Sequence, residues 1–357
     1  MHRIALIPGD GIGIDVTREA AKVLRRLSDI HQLDIEMTEW DLGAERYLRT
    51  GVAVTDEEMA KLATYDAIFL GAMGDARVAD NAHARAILLG MRFRFDLFVN
   101  LRPVRLLDER LCPLKGVREP DVDIVIFREN TEGLYVGVGG QFKRGTPDEV
   151  AVEQDVNTRK GVERIVRAAF AYAQTHRRRR VTLTDKANAM QHAGDLWRRV
   201  FKLVSAEFPE IQNNAVYVDA LALDLVRRPA QYDVIVAPNL FGDILSDLAA
   251  ALAGGLGLAP SANLHPGKPG LFEPVHGSAP DLVGTGNANP LAAILTAGLM
   301  LQELGHADLN QKIEHAVQQA LRAGKTTPDL GGTMQCDEVG NWICEALSRV
   351  QANPNNS

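Results

Sequence analysis

The run VIVAPNLFGDILSDLAAALAGGLGLAP, residues 234–260, constrains the fold more than any other stretch of this chain. Between Asp233 and Lys268 only Asp243 and Asp247 carry charge. A segment so poor in charge has little to offer water, so the strand Val234 to Ala237 and the helix after it both read as interior. A buried strand leading into a buried helix is the unit of a layered α/β protein. The two acids lie four residues apart, on one face of that helix, where they repel each other. Carboxylates in apolar surroundings are costly unless a cation or hydrogen bonds compensate. A divalent metal is the simplest compensation and points to metal-assisted chemistry on an oxygen-rich substrate. The plainer alternative is a pair steadied by the helix dipole.

The same alternation starts at the N-terminus. Arg3 to Ile7 reads as a buried strand ending in the turn Pro8-Gly9-Asp10-Gly11, and a helix follows with Val16, Ala20, Val23, Leu24 and Leu27 on one face. Thr55-Asp56-Glu57-Glu58 is a capping box, and Ala67 to Leu70 is a further strand. These units predict a doubly wound α/β lobe. In the middle, Asp123 to Phe127 and Val181 to Thr184 read as strands. Between them, Gly137 to Gly140 and the polar stretch Glu149 to Val156 predict an arm that pairs with a second subunit. Strands recur at Ala215 to Val218 and Val234 to Ala237. Helices close the chain at Pro290 to Glu303 and Leu309 to Ala323, and the tail Ala352 to Ser357 is expected to be disordered.

A chain of 357 residues allows two lobes or one large unit. Its 46% apolar and 24% charged residues are those of a soluble globular protein. The net charge of -7 disfavours nucleic acid and acidic membranes as partners. The exception, His176 to Arg180, falls between a helix and a strand and reads as a solvated turn or subunit contact. Cys112, Cys336 and Cys344 lack CxxC spacing, which fits idle thiols in a reducing cytoplasm. No signal-peptide pattern or membrane span is expected, and the protein is expected to be cytoplasmic.

Several segments carry residues suited to one chemistry. Asp243 and Asp247 suit Mg²⁺ or Mn²⁺, with Asp219 at a strand end as a third candidate ligand. Arg92, Arg102 and Arg128 present planar forks matched to carboxylates, so a substrate with two or more carboxylates is expected. Lys186, beside a metal and arginines, is a candidate base, and Tyr135 a candidate proton donor. The loop Glu273-Pro274-Val275-His276-Gly277-Ser278-Ala279-Pro280-Asp281, with Asn289 beyond it, has the residues to wrap an adenosine. Asp281 suits an unphosphorylated ribose. No strand is followed by GxGxxG, so the usual dinucleotide fingerprint is missing.

Together GDGIG, RENTEG, NLFGDILSD, EPVHGSAPD and PDLGG resemble the β-decarboxylating dehydrogenases, which act on 3-isopropylmalate, isocitrate, homoisocitrate and tartrate or D-malate. The resemblance spans residues 9 to 332. It implies the two-lobed α/β isopropylmalate dehydrogenase fold, whose nucleotide site is not of the Rossmann type. A nucleotide-binding lobe would comprise 1–97 and 256–357, and a second lobe, 98–255, would hold metal and substrate residues, the dimer interface and the arm. It further implies a homodimer with shared sites: Arg92, Arg102 and Arg128 on the malate carboxylates; Asp243, Asp247 and a partner copy's Asp219 on Mg²⁺ or Mn²⁺; Tyr135 and the other copy's Lys186 moving protons. The nucleotide would be NAD, held by Glu273, His276, Gly277, Ser278, Ala279, Asp281 and Asn289.

The segment His83 to Arg92 is expected to form the helix that meets the substrate's 3-substituent. Leu88 and Leu89 match the paired leucines of isopropylmalate enzymes, and an apolar patch there rejects a third carboxylate. Arg85 stands where those enzymes have an acid, and RENTEG is the form of the isocitrate, homoisocitrate and tartrate relatives. The first expectation is therefore 3-isopropylmalate, with tartrate or D-malate and isocitrate or homoisocitrate as alternatives. A binding-only regulatory subunit is the remaining one.

Overall fold

The computed structural model describes residues 1–352; the expected disordered tail lies, from residue 353 on, outside the described residues. The chain forms two compact units. The first comprises Met1–Leu97, Arg105–Pro120 and the chain from Ala250 onward; the second comprises Phe98–Val104 and Asp121–Ala249.

In the first unit five strands lie side by side in the order Ile35–Glu39, His2–Gly9, Ala67–Ala72, Gly270–Pro274, Pro260–Leu264. The first four run parallel and the last is antiparallel. The strand Ala67–Ala72 is buried throughout, as a parallel strand covered on both faces must be. The helix Gly13–His31 buries Val16, Ala20, Val23, Leu24 and Leu27, the face its periodicity predicts. The helix Leu291–Glu303 is buried from Leu291 to Leu301 on every side, so it forms the centre of this core. The Thr55 capping box is present, with side chain and backbone bonds in both directions.

Two glycines of the first turn have structural reasons. Gly9 and Gly11 have φ of 72° and 59°, a region that other residues rarely adopt. A Cβ on Gly9 would also lie 1.9 Å from the Ala72 carbonyl oxygen, and one on Gly11 2.0 Å from that of Ser278. The turn is thereby pressed against the end of the next strand and against the 273–281 loop.

The second unit has its own row of strands: Val99–Arg105, Asp123–Glu129, Val234–Ala237, Arg180–Asp185, Gln212–Tyr217, with the last four parallel. Helices Arg159–Thr175 and Gln191–Ser205 pack against each other and against this sheet. The predicted strand Ala215 to Val218 is in fact longer and ends earlier, at Tyr217; Val218 opens the helix Val218–Arg227. Asp219 thus lies in the first turn of a helix. Within the basic run, Arg178 pairs with Asp123 at 2.8 Å and Asp233 at 3.1 Å, tying the turn down. Gly139–Phe142 and Val150–Glu153 form an antiparallel hairpin whose residues are all exposed.

The segment expected to be one helix from His83 to Arg92 is helical but not regular. A three-residue α-turn at Ala82–Ala84 passes into a π-turn at Arg85–Leu89 and back to α-helix at Gly90–Arg94. Single π-turns of this kind concentrate at functional sites. Among the described residues no helix is long and apolar enough to cross a membrane.

Candidate active site

In open parallel sheets ligands bind beyond the carboxyl ends of the strands, because the loops and helix N-termini there are free to vary. The candidate residues fall at those ends. In the second unit Arg128 closes one strand, Asn239–Leu252 begins just after another, and Lys186 follows a third.

Gly242 lets the helix Asn239–Leu252 lie against Arg128: a Cβ there would come within 2.7 Å of the Arg128 Cβ. Arg128 is 2% exposed. Its Nε donates to Asn239 Oδ1 at 2.9 Å, its Nη1 donates to Asp243 Oδ1 at 2.5 Å, and its guanidinium lies 4.9 Å from the Tyr135 ring centre. Tyr135 donates its hydroxyl to Asp243 Oδ2 at 2.5 Å. Arg102 is also buried; it donates to Asn100 Oδ1 at 2.7 Å and to Ser246 Oγ at 2.5 Å. It lies 3.2 Å from Asp243 and 3.5 Å from Asp247. The two acids are thus brought together with two arginines and a phenol. Asp247 remains half-exposed. Burial pushes its carboxyl above the ordinary range; Arg102 opposes this and Asp243 adds to it.

Lys186 and Asp219 form a separate pair, with Nζ 2.8 Å from Oδ1. The hydrogen bond from Lys186 holds the Asp219 carboxyl below the usual range. Beside Lys186 is a pocket lined by Leu134, Asn157, Trp197 and Phe241, in which the Trp197 indole donates to Asn157 at 2.8 Å. Asp219 is not brought to Asp243 and Asp247 within one chain, and no cluster of three or more His, Cys, Asp or Glu suited to a metal occurs among the described residues. One chain therefore offers a hard cation two carboxylates. An all-oxygen pair, one member half-exposed and raised in pKa by burial, suits Mg²⁺ or Mn²⁺ completed by other oxygens.

In the first unit Arg92 donates to Glu273 Oε1 at 2.8 Å, and Asn263 donates to the same oxygen at 2.9 Å. Arg92 Nε is buried without a partner. Glu273, expected to meet the nucleotide, is engaged by the arginine. His276 has Nδ1 3.0 Å from the Gly277 carbonyl oxygen and a buried Nε2 with no partner; burial holds the ring below the ordinary histidine range. The Ser278 carbonyl accepts from Ile12 N–H at 2.9 Å. Ala279 is left-handed at φ 38°, and Asp281 is exposed in the turn Pro280–Leu282. Asn289 donates to Asp329 at 2.9 Å and accepts from Leu291 N–H at 3.0 Å. A cavity of about 340 Å³ opens beside this loop, lined by Gly9, Gly11, Gly74, Arg77 and Pro280. Backbone turns around an open cavity, with an unpartnered imidazole nitrogen in the adjoining loop, suit a dinucleotide.

Leu88 packs on the apolar core of the first unit, Leu89 is half-buried and Arg85 is exposed. Sequence reasoning missed Asn239, Ser246, Asn100 and Glu129. Glu129 is buried and accepts from Thr131 N–H, Thr131 Oγ and Glu132 N–H at 2.7–3.0 Å, fixing the RENTEG turn, while burial raises its carboxyl. Asn239, Ser246 and Glu129 lie inside the quoted motifs, so the signal was present but its roles were not.

The chain matches the model of the isocitrate/isopropylmalate dehydrogenase family over residues 3–343. It is 45% identical to the 3-isopropylmalate dehydrogenase of Thermobifida fusca, covering 97% of this chain and 98% of that one. It is 48% identical to that of Corynebacterium jeikeium over 97% and 99%. Among solved structures it is similar to isocitrate dehydrogenase from Methylococcus capsulatus, with a TM-score of 0.88, 35% identity and coverage of 97% and 99%. It is also similar to the apo β-decarboxylating dehydrogenase of Thermococcus kodakarensis, with a TM-score of 0.82, 33% identity and coverage of 100% and 99%. With a match of this length and identity, the chain belongs to the isocitrate/isopropylmalate dehydrogenase family of decarboxylating dehydrogenases.

Proposed function

We propose that this enzyme carries out the NAD-dependent, divalent-metal-dependent oxidative decarboxylation of a 3-substituted (R)-malate, 3-isopropylmalate, to 2-oxoisocaproate, in the cytoplasm. The observation that carries the proposal is the convergence of Arg102, Arg128 and Tyr135 on Asp243, with Asp247 one turn away. Two buried guanidiniums matched to two acids form a neutral set. A malate and a divalent cation together replace that set without net change: the arginines turn to the substrate's carboxylates and the acids to the cation.

When bound, NAD⁺ supplies the hydride acceptor, and the cation supplies polarisation of the substrate oxygens. Asp243 and Asp247, with Asp219 from a second copy, hold the cation. Arg92, Arg102 and Arg128 orient the carboxylates. Lys186 from that copy takes the hydroxyl proton as the 2-hydroxyl becomes a ketone. After CO₂ leaves, Tyr135 delivers a proton to the substrate's third carbon. Leu88 and Leu89 receive the isopropyl group. The lobe expected at 1–97 and 256–357 carries the nucleotide through His276 to Asp281 and Asn289; the lobe expected at 98–255 carries the metal, the arm and the dimer contacts, and its residues 105–120 and 250–255 fall in the first compact unit instead. The hairpin supports a dimer, since an isolated two-stranded hairpin with no buried face is marginal. The exposed Arg85 favours one second reading, a substrate with an anionic 3-substituent such as isocitrate.

The test is product analysis with isopropylmalate, NAD⁺ and Mn²⁺. Equimolar NADH, CO₂ and 2-oxoisocaproate, all abolished by a chelator and restored by metal, are expected. An oxidised product that keeps both carboxylates, or turnover indifferent to chelation, would overturn the proposal.

A further inference from the structure

One buried polar contact in the first unit is not used by the chemistry above. His83 is 0% exposed and Asp10 is 5% exposed, and His83 Nε2 lies 2.7 Å from Asp10 Oδ2. The same carboxylate accepts Gly74 N–H at 2.8 Å on Oδ2 and Ala44 N–H at 2.6 Å on Oδ1. Asp10 therefore fastens three segments at once: the loop after the strand Ala67–Ala72, the helix Ala44–Thr50, and the start of the segment Ala82–Arg94. Asp10 itself sits in the glycine turn that lines the open cavity. His83 Nδ1 is buried without a partner, and the Tyr47 ring stacks on the imidazole at 6.0 Å between centres.

The segment that His83 opens is the one carrying Arg85, Leu88, Leu89 and Arg92, and its start is poorly fixed otherwise. Asp80 and Asn81 are both left-handed, at φ 52° and 48°. Asn81, at the cap position, makes no capping hydrogen bond; its side chain accepts from Asp75 N–H instead. The α-turn lasts three residues before the π-turn. His83, Ile87 and Met91 form the buried row of the segment, each 0% exposed. An apolar residue would fill the place of His83 as well as its neighbours fill theirs. A histidine there, with one nitrogen left unpartnered, is explained by the bond to Asp10 and not by packing.

We propose that His83 is a positioning residue for recognition of the substrate's 3-substituent: its hydrogen bond to Asp10 sets the entry of the π-turn and thereby where Leu88 and Leu89 stand relative to the glycine turn. The proposal rests on the assignment of Leu88 and Leu89 to the 3-substituent. A shift of the π-turn moves the apolar patch, while Arg92 at the far end of the segment stays held by Glu273 and the arginines and acids of the second unit lie outside the segment. The consequence is lost discrimination between a substituted and an unsubstituted malate, and not a uniform loss of rate.

The experiment compares His83→Gln, whose amide can donate to Asp10, with His83→Phe and His83→Asn, which fill the volume or keep the polarity without reaching it. The readout is the ratio of kcat/KM for 3-isopropylmalate to that for D-malate, with kcat and KM resolved and thermal unfolding followed alongside. His83→Gln should keep the ratio within about twofold, while Phe and Asn should lower it about tenfold or more, chiefly through the KM of isopropylmalate. An unchanged ratio in Phe or Asn, or a Gln variant that falls with them, overturns the proposal. So does a Gln variant that alone remains folded, since the contact would then serve the fold and not the substrate. If the wild type prefers another 3-substituted malate, the substrate assignment has failed and the ratio is taken with that substrate against D-malate. A specific loss of that ratio still supports His83.

Discussion

Lys186 is the residue proposed to take the substrate's hydroxyl proton. It follows the strand Arg180–Asp185, lines an apolar-walled pocket and carries Asp219 at 2.8 Å. Replacing it with Met keeps the stem and removes the proton carrier. Turnover should fall about 10²- to 10⁴-fold, the range of a general acid–base residue. NAD binding, followed by fluorescence, should persist; appreciable turnover in that variant would remove Lys186 from the chemistry. His276 gives a pH signature. Burial lowers its pKa in the folded protein below the ordinary value of 6.5. Between those two values the unfolded chain binds the extra proton, so stability rises with pH through that window. The contribution is whole above 6.5 and is lost as pH falls toward the folded value. Unfolding midpoints measured from pH 7.5 to 5.5, as rough bounds, should therefore fall less steeply in His276→Asn than in the wild type; parallel curves would contradict the account. At this scale the sequence was legible where spacing is short. Asp243 and Asp247 share a helix face, as four-residue spacing requires. The pairing of Arg92 with Glu273 spans 181 residues, and nothing local announces it.

Among the elements, the helix Asn239–Leu252 joins packing to chemistry. Its glycine admits Arg128, its asparagine orients that arginine, and its two acids face the cluster. Asp247 touches fewer groups than Asp243, so Asp247→Asn should raise the Mn²⁺ concentration for half-maximal rate about tenfold or more while the fold persists. An unaltered metal requirement would take Asp247 out of the metal site. The hairpin Gly139–Phe142/Val150–Glu153 exposes Phe142, Val150 and Val152. Removing residues 140–152 should convert a dimer into monomers in sedimentation and abolish activity together, because Lys186 and Asp219 are assigned to a partner's site. A monomeric wild type with full activity would refute the shared site. The strands and helices were legible from apolar period and caps. The π-turn was not: Arg85 to Leu89 carries the same apolar spacing as an ordinary helix, and the left-handed pair Asp80 and Asn81 before it has no signal in that spacing.

For the whole molecule, composition and alternation sufficed for the α/β class, and long motifs sufficed for the family. The substrate is the hardest property to read, since it depends on how a few side chains meet one substituent. Leu88, Leu89 and Arg85, the residues proposed to meet the 3-substituent, lie on one short segment and argue for different substrates: an apolar patch would favour isopropyl, an exposed arginine an anion. An apolar pocket typically discriminates by about 1–3 kcal/mol per methylene, enough to rank substrates clearly. The most direct measurement is kcat/KM for NADH formation, with Mn²⁺ present, over isopropylmalate, isocitrate, homoisocitrate, tartrate and D-malate. The account predicts that isopropylmalate leads the series by about tenfold or more. Isocitrate or tartrate outrunning isopropylmalate would contradict it.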